Sequence, residues 1–202
     1  MKYPKKVYFE DLVFFVDENV YEPAEDSFLL AENMNFTKAD IVLDMGTGCG
    51  ILAILAAQKT KKVMAIDINP YAIHCATKNA EINCVSEKIE FRCGDLFQPT
   101  KPGDKFNVIL FNSPYLPSEP DEEKSWIGKA WAGGPNGRKV IDRFIINAPN
   151  ALTENGKILL IQSSLSDVDK TLEKFCENNM MAKVIVKVKV PFEDIVLVEA
   201  KL

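Results

Sequence analysis

Apolar residues fall in short runs whose period changes along the chain. Residues 7–16 alternate loosely and carry aromatics, which predicts a short N-terminal hairpin. Pro23 opens a helix to about Asn35, with Glu22, Glu25 and Asp26 near its positive end. The unbroken apolar run at 41–44 reads as a strand buried on both faces. A glycine-rich turn at 46–50 leads into an apolar helix over 51–59. Strands follow at 62–67, 89–92 and 106–111, with a helix from Pro70 to about Asn83 between the first two. A helix over 137–151, a strand over 156–162, a helix over 167–178 and strands at 183–190 and 194–200 complete the pattern. The proline- and glycine-rich stretch 114–137 is too long for an ordinary connection, and such loops tend to carry function.

Strand alternating with helix predicts a parallel sheet covered on both faces. The last two strands are separated only by residues 191–193. So short a link makes no parallel crossover, so that pair is antiparallel. The expected fold is therefore α/β, a doubly wound, Rossmann-like sheet of about seven strands ending in an antiparallel strand, behind a short N-terminal extension. This resembles the architecture of class I methyltransferases, which use S-adenosylmethionine (AdoMet). It implies one domain over 1–202, with a hairpin and helix in 1–36 and an AdoMet-binding core in 37–202.

Composition narrows the class. At 202 residues with 47% hydrophobic and 26% charged positions, the chain reads as globular, which excludes disordered and fibrous proteins. A net charge of −5 lacks the basic footprint of a nucleic-acid binder, so direct nucleic-acid binding is not expected. No apolar stretch approaches the roughly 20 residues of a membrane span. Asp11 and Asp17 bracket the run 12–16, which speaks against a secretory signal, so the expected location is cytoplasmic. Five cysteines without a C-x-x-C pair indicate neither a disulfide framework nor a zinc site, but reduced, mostly buried thiols. The one histidine, His74, falls in a helical stretch without an evident partner, so hydrolytic triads and histidine metal centres are not expected, and no metal is.

The chemistry concentrates at strand ends. Asp44-Met45-Gly46-Thr47-Gly48-Cys49-Gly50 joins a strand to a helix, where glycines permit a tight turn and close approach of a ligand. Ile51 stands where a dinucleotide fingerprint needs its third glycine. AdoMet carries an ammonium rather than a pyrophosphate, and Asp44 suits that group. Asp67, about 20 residues past the glycines at the next strand end, is placed for ribose hydroxyls. After the third strand, Asp95 suits an adenine amino group and Leu96 suits the ring face. Each acid alone is equally well a loop or helix-cap aspartate. Three at successive strand ends, with the glycine turn, favour a cofactor.

The fourth strand ends in Asn112-Ser113-Pro114-Tyr115. A planar amide or exocyclic amine is a poor nucleophile because its lone pair is delocalised. Accepting both N–H hydrogens, at the Asn112 side-chain oxygen and the Ser113 backbone carbonyl, would aim its nitrogen at the methyl donor. Positioning and fixed dipoles carry such a reaction, without a strong base. Tyr115 can pack on the planar group and exclude water. The same four residues would also make an ordinary turn.

These stretches, with Val20-Tyr21-Glu22-Pro23-Ala24-Glu25-Asp26-Ser27-Phe28-Leu29-Leu30, resemble the HemK-type protein-glutamine methyltransferases, in their short archaeal and eukaryotic branch. Trp131–Arg138 with Asp142 and Arg143 resembles the loop and helix that follow the acceptor motif there. The resemblance implies methylation of the glutamine amide in the Gly-Gly-Gln loop of class 1 release factors, with AdoMet converted to S-adenosyl-L-homocysteine. It implies that Ser27, Asp44, Gly46, Gly48, Asp67, Asp95, Leu96 and Asn112 line the cofactor, with Asn112, Ser113, Pro114 and Tyr115 at the acceptor. It also implies a small zinc-binding activator of the Trm112 type, docked on exposed apolar edge residues along strand 62–67.

Ser113 departs from the family's Asn-Pro-Pro-Tyr, which leaves φ free and loosens the acceptor geometry. Alternatives remain. Similar tetrapeptides occur in N6-adenine and other exocyclic-amine methyltransferases acting on RNA or DNA. A protein-lysine acceptor would first have to lose a proton, and no base is evident. An AdoMet-binding scaffold without catalysis is the non-enzymatic reading.

Overall fold

A computed structural model describes residues 5–202; residues 1–4 of the expected N-terminal extension lie outside the described residues. The chain opens with an antiparallel hairpin, β1 (Lys5–Phe9) and β2 (Leu12–Val16), followed by helix α1 (Glu25–Glu32). The central sheet contains β3 (Ile41–Met45), β4 (Lys62–Asp67), β5 (Ile89–Cys93), β6 (Phe106–Asn112), β7 (Leu152–Ser163), β8 (Met181–Val190) and β9 (Glu193–Lys201). Their order is β5-β4-β3-β6-β7-β9-β8. The first five run parallel, and β9 lies antiparallel between β7 and β8. The doubly wound sheet with its terminal antiparallel pair is thus the fold the alternation predicts. Helices α2 (Ile51–Lys59), α3 (Pro70–Ile82), α4 (Trp126–Lys129), α5 (Lys139–Asn147) and α6 (Val168–Glu177) supply the connections.

The middle strands read as unbroken apolar runs because both faces are covered. Val42, Leu43, Val63, Ala65, Ile66, Ile109, Leu110, Ile158 and Leu160 are all buried. Element ends move for local reasons. Helix α5 starts at Lys139 because Gly137 sits at φ +72, and its last turn tightens into a 3₁₀ segment, Ala148–Ala151, containing Pro149. Strand β7 starts at Leu152, ahead of the expected position. Stretch 114–137 is built as a folded loop. Leu116 N–H donates to the Trp131 carbonyl, Gly133 N–H to the Leu116 carbonyl, and the Ser118 hydroxyl accepts from Gly134 N–H.

Two expectations are corrected. Strand 62–67 is interior, paired on both sides, so it offers no edge to a partner; β5 and β8 are the free edges. The thiols are not mostly buried: Cys49 and Cys75 are, while Cys84, Cys93 and Cys176 are exposed at turns and element ends. His74 is exposed on α3.

Candidate active site at the carboxyl ends of the strands

Parallel strands deliver their last residues to one edge, where α/β sheets bind ligands. Here that edge holds a cleft of about 610 Å³, within the range of small-molecule sites. Its wall includes Ser27, Gly46, Gly48, Asp67, Asp95, Leu96, Asn112, Ser113, Pro114 and Tyr115. The structure therefore brings together every candidate cofactor and acceptor residue except Asp44.

Asp44 is fully buried at the end of β3, beneath the glycine turn rather than on the wall. Its Oδ2 accepts from the Thr47 hydroxyl at 2.6 Å and from Ala53 N–H at 3.1 Å, while Oδ1 has no partner. Burial pushes its carboxyl up to about 7. Direct contact between Asp44 and a ligand ammonium, expected from its place before the glycines, is not what this geometry offers. The side chain braces the turn through Thr47.

Asp67 ends β4 and does reach the wall. Its Oδ2 accepts from Gly48 N–H at 2.9 Å and its Oδ1 from Asn69 N–H at 2.8 Å. One carboxylate thus ties the glycine turn to the start of α3, and burial raises its pKa. Gly48 has φ +56, and a Cβ there would meet nothing within 4 Å. The open space beside its bare backbone is where a ligand can approach closely. Asp95 pairs with Arg143 of α5 at 2.5 Å, an exposed contact of small energetic weight that nonetheless fixes the carboxylate at the cleft. Leu96 adopts φ +48, a left-handed conformation that costs a branched residue about 1–2 kcal/mol.

The acceptor end is joined to the N-terminal helix. Asn112 Nδ2 donates to the Ser27 hydroxyl at 3.1 Å, and Asn112 Oδ1 is buried without a partner. Ser27 in turn donates from its hydroxyl (3.1 Å) and its backbone N–H (2.5 Å) to Asp26 Oδ1. The phenols of Tyr115 (3.1 Å) and Tyr21 (3.2 Å) both donate to Asp26 Oδ2. Burial, reinforced by the Asp26 charge, raises both phenol pKa values, so the rings stay protonated. Ser113, at the position of the family's proline, donates from its buried hydroxyl to the Ile161 carbonyl of β7 at 2.8 Å. Gly137, at φ +72, packs where a Cβ would sit 2.2 Å from the Tyr115 carbonyl, so the loop closes tightly behind the motif.

Asp26 and Tyr21 are the site residues that sequence reasoning missed. Both lie in the segment most particular to the family resemblance. In the local pattern Asp26 is a charge at a helix start, and its partners lie up to 89 positions away. Among the described residues no three His, Cys, Asp or Glu side chains cluster as a metal site.

The donor set fits AdoMet. Two carboxylates and a glycine turn line the cleft, with Asn112, whose buried Oδ1 has no partner, beside them. A protein-family profile described as Methyltransferase small domain matches residues 18–127. The chain is 42% identical over 183 residues to a putative protein N5-glutamine methyltransferase of Methanocaldococcus jannaschii, covering 90% of this chain and 91% of that one. It is 36% identical over 166 residues to the methyltransferase HEMK2 of Homo sapiens, covering 77% of each. Its fold superposes on the E. cuniculi Mtq2–Trm112 structure, described as responsible for methylation of the eRF1 termination factor. The TM-score is 0.70 at 23% identity, over 91% of this chain and 98% of that one.

Proposed function

The chain belongs to the methyltransferase small domain family and, within it, to the HemK-type protein-glutamine methyltransferases, and from that premise we propose that it methylates the side-chain amide of the glutamine in a release factor's Gly-Gly-Gln loop. The single observation that carries this reading is the partnerless Oδ1 of Asn112, a residue that lines the cleft together with Ser113. An orphan acceptor costs about 1–3 kcal/mol, and it is recovered when an amide N–H docks there.

When bound, AdoMet supplies an electrophilic methyl group on its sulfonium and departs as S-adenosyl-L-homocysteine. The chain's own residues do the rest. Asn112 Oδ1 and the Ser113 carbonyl accept the two N–H hydrogens of the glutamine amide and aim its nitrogen. Tyr115 packs on the amide plane and keeps water out. Asp67 holds ribose hydroxyls, Asp95 the adenine amino group, and Leu96 the ring face. Asp44 and Ser27 act indirectly, Asp44 by bracing the turn and Ser27 by holding Asn112. The bond from Ser113 to β7 stands in for proline rigidity and supports an active acceptor site. Positioning of this kind is worth several kcal/mol without a general base.

Residues 5–202 are read as one cytoplasmic catalytic unit. No helix among the described residues is long and apolar enough to cross a membrane. A small zinc-binding protein of the Trm112 type is the proposed partner. It adds to a free sheet edge, β5 or β8, because unpaired edges accept an added strand.

The test is direct. Purified protein, with and without the co-expressed partner, is incubated with labelled AdoMet and a release factor, and the Gly-Gly-Gln peptide is sequenced by mass spectrometry. One added methyl on that glutamine is expected. Transfer to RNA or DNA oligonucleotides, or to lysine, with none to the glutamine would overturn the reading.

A further inference from the structure

Asp26 has no assigned role, yet it is the most heavily hydrogen-bonded carboxylate of the acceptor end. It is buried, and its partners among the described residues are the neutral donors Ser27 N–H, Ser27 Oγ–H, Tyr21 O–H and Tyr115 O–H. Burying a charge without a counter-charge is costly. A residue serving only to seat α1 on the sheet would do better apolar.

The direction of each hydrogen bond explains its presence. An ionised carboxylate only accepts. The single proton of the Ser27 hydroxyl is therefore committed to Asp26, and toward Asn112 that hydroxyl can only accept. The Asn112 amide must then turn its NH₂ to Ser27, which leaves Oδ1 as the atom without a partner. A flipped amide would present donors to an incoming N–H and bind nothing.

We propose that Asp26 is a positioning residue. Through Ser27 it sets the polarity of the Asn112 amide, and through the shared Oδ2 it fixes the Tyr115 phenol over the acceptor. This deepens the reading proposed above and rests on it.

The test compares wild type with Asp26→Asn in the full chain, using AdoMet and a release factor. Asparagine keeps the shape but offers a donor where only acceptors stood, so Ser27 is freed and the Asn112 amide loses its fixed sense. The expected result is a fall in kcat of about 30-fold or more, with the Kd for AdoMet changed by less than about threefold. Two further readouts are independent of turnover. The tyrosine ultraviolet absorption of Asp26→Asn should shift from that of wild type at neutral pH, because the carboxylate to which the Tyr21 and Tyr115 phenols donate is gone. The Asn112 side-chain NH₂ signals in ¹⁵N spectra should lose the shift set by Ser27.

Ser27→Ala serves as the second variant if Asp26→Asn does not fold. It breaks the relay, so kcat should fall while the tyrosine ultraviolet absorption stays put. A kcat within about threefold of wild type, or an unmoved Asn112 NH₂ signal in Asp26→Asn, overturns the proposal. So does a parallel loss of cofactor binding and melting temperature. If wild type itself transfers nothing to the glutamine, the proposed function fails, and the NH₂ readout still decides the relay.

Discussion

Replacing Asn112 by alanine should separate activity from stability. In the free protein the Asn112 side chain makes one bond, Nδ2 to Ser27 at 3.1 Å, and leaves Oδ1 buried and unpaired. Losing the bond costs about 0.5–1.5 kcal/mol, while removing the orphan acceptor returns about 1–3 kcal/mol. The residue borders the cleft, so truncation opens no sealed cavity. The net change in unfolding free energy is therefore within about 1 kcal/mol of zero or a gain. The rate behaves differently. Removing one preorganised group that grips the reacting atoms costs about 10²–10³ in kcat. The assays are urea denaturation for stability, calorimetry for AdoMet affinity, and single-turnover methylation of the release factor. The expected variant is at least as stable as wild type, binds AdoMet measurably and transfers methyl at least about 100-fold more slowly. A variant destabilised by more than about 2 kcal/mol would show that Asn112 is a structural residue whose carbonyl is satisfied. Transfer slowed less than about tenfold would show that its oxygen does not hold the acceptor.

Asp44 gives a pH signature. Its native carboxyl is pushed by burial up to about 7, against 3.8 for a free aspartate, so the folded state holds the proton more tightly. The stabilisation is complete below pH 3.8 and is lost as pH rises to about 7, at roughly 1.4 kcal/mol per unit. Asp44→Asn should therefore gain on wild type between those limits and run parallel above 7; a difference independent of pH would refute it. Asp67→Asn sets an NH₂ against Gly48 N–H or Asn69 N–H, and AdoMet affinity should fall about 10–100-fold by calorimetry, since charged hydrogen bonds are worth about 1.5–3 kcal/mol. Ser113→Ala strips the bond to the Ile161 carbonyl and should cost about 1 kcal/mol in urea denaturation, with kcat lowered and AdoMet affinity unmoved; an unchanged kcat would show that the bond does not rigidify the acceptor.

The sheet was legible because its order is written in local signals. Parallel strands with both faces covered appear as apolar runs such as 106–111, and the corner at 191–193 forces the last pair antiparallel. The cofactor residues were legible because a glycine turn and carboxylates fall at successive strand ends. What local pattern does not carry is depth and distance. Asp44 and Asp67 both end strands, yet one lies under the turn and the other on the wall, because Thr47 folds back over Asp44. The bonds from Ser27 to Asn112 and from Asp26 to Tyr115 span 85 and 89 positions, beyond any helical or strand period. Strand 62–67 could not be told from an edge strand, since pairing partners are set by the whole sheet. Stretch 114–137 read as a loop, and its internal ladder depends on carbonyls rather than side-chain pattern.

Asp26, Asp44 and Asp67 share one feature that links stability to function. Each is buried, and among the described residues none pairs with a lysine or arginine. Their partners are backbone N–H groups and hydroxyls, which hold a carboxylate in place without neutralising it. Asp26 and Asp67 line the cleft and Asp44 lies beneath its glycine turn, and burial disfavours the charge of Asp44 and Asp67. The burden is lifted by a ligand that brings positive charge to the same edge, as a sulfonium with an ammonium does. Salt should screen these buried groups little. AdoMet affinity should accordingly exceed that for the uncharged-sulfur product and keep that preference from low to high ionic strength. A preference that vanished with salt would place the recognition on surface lysines instead.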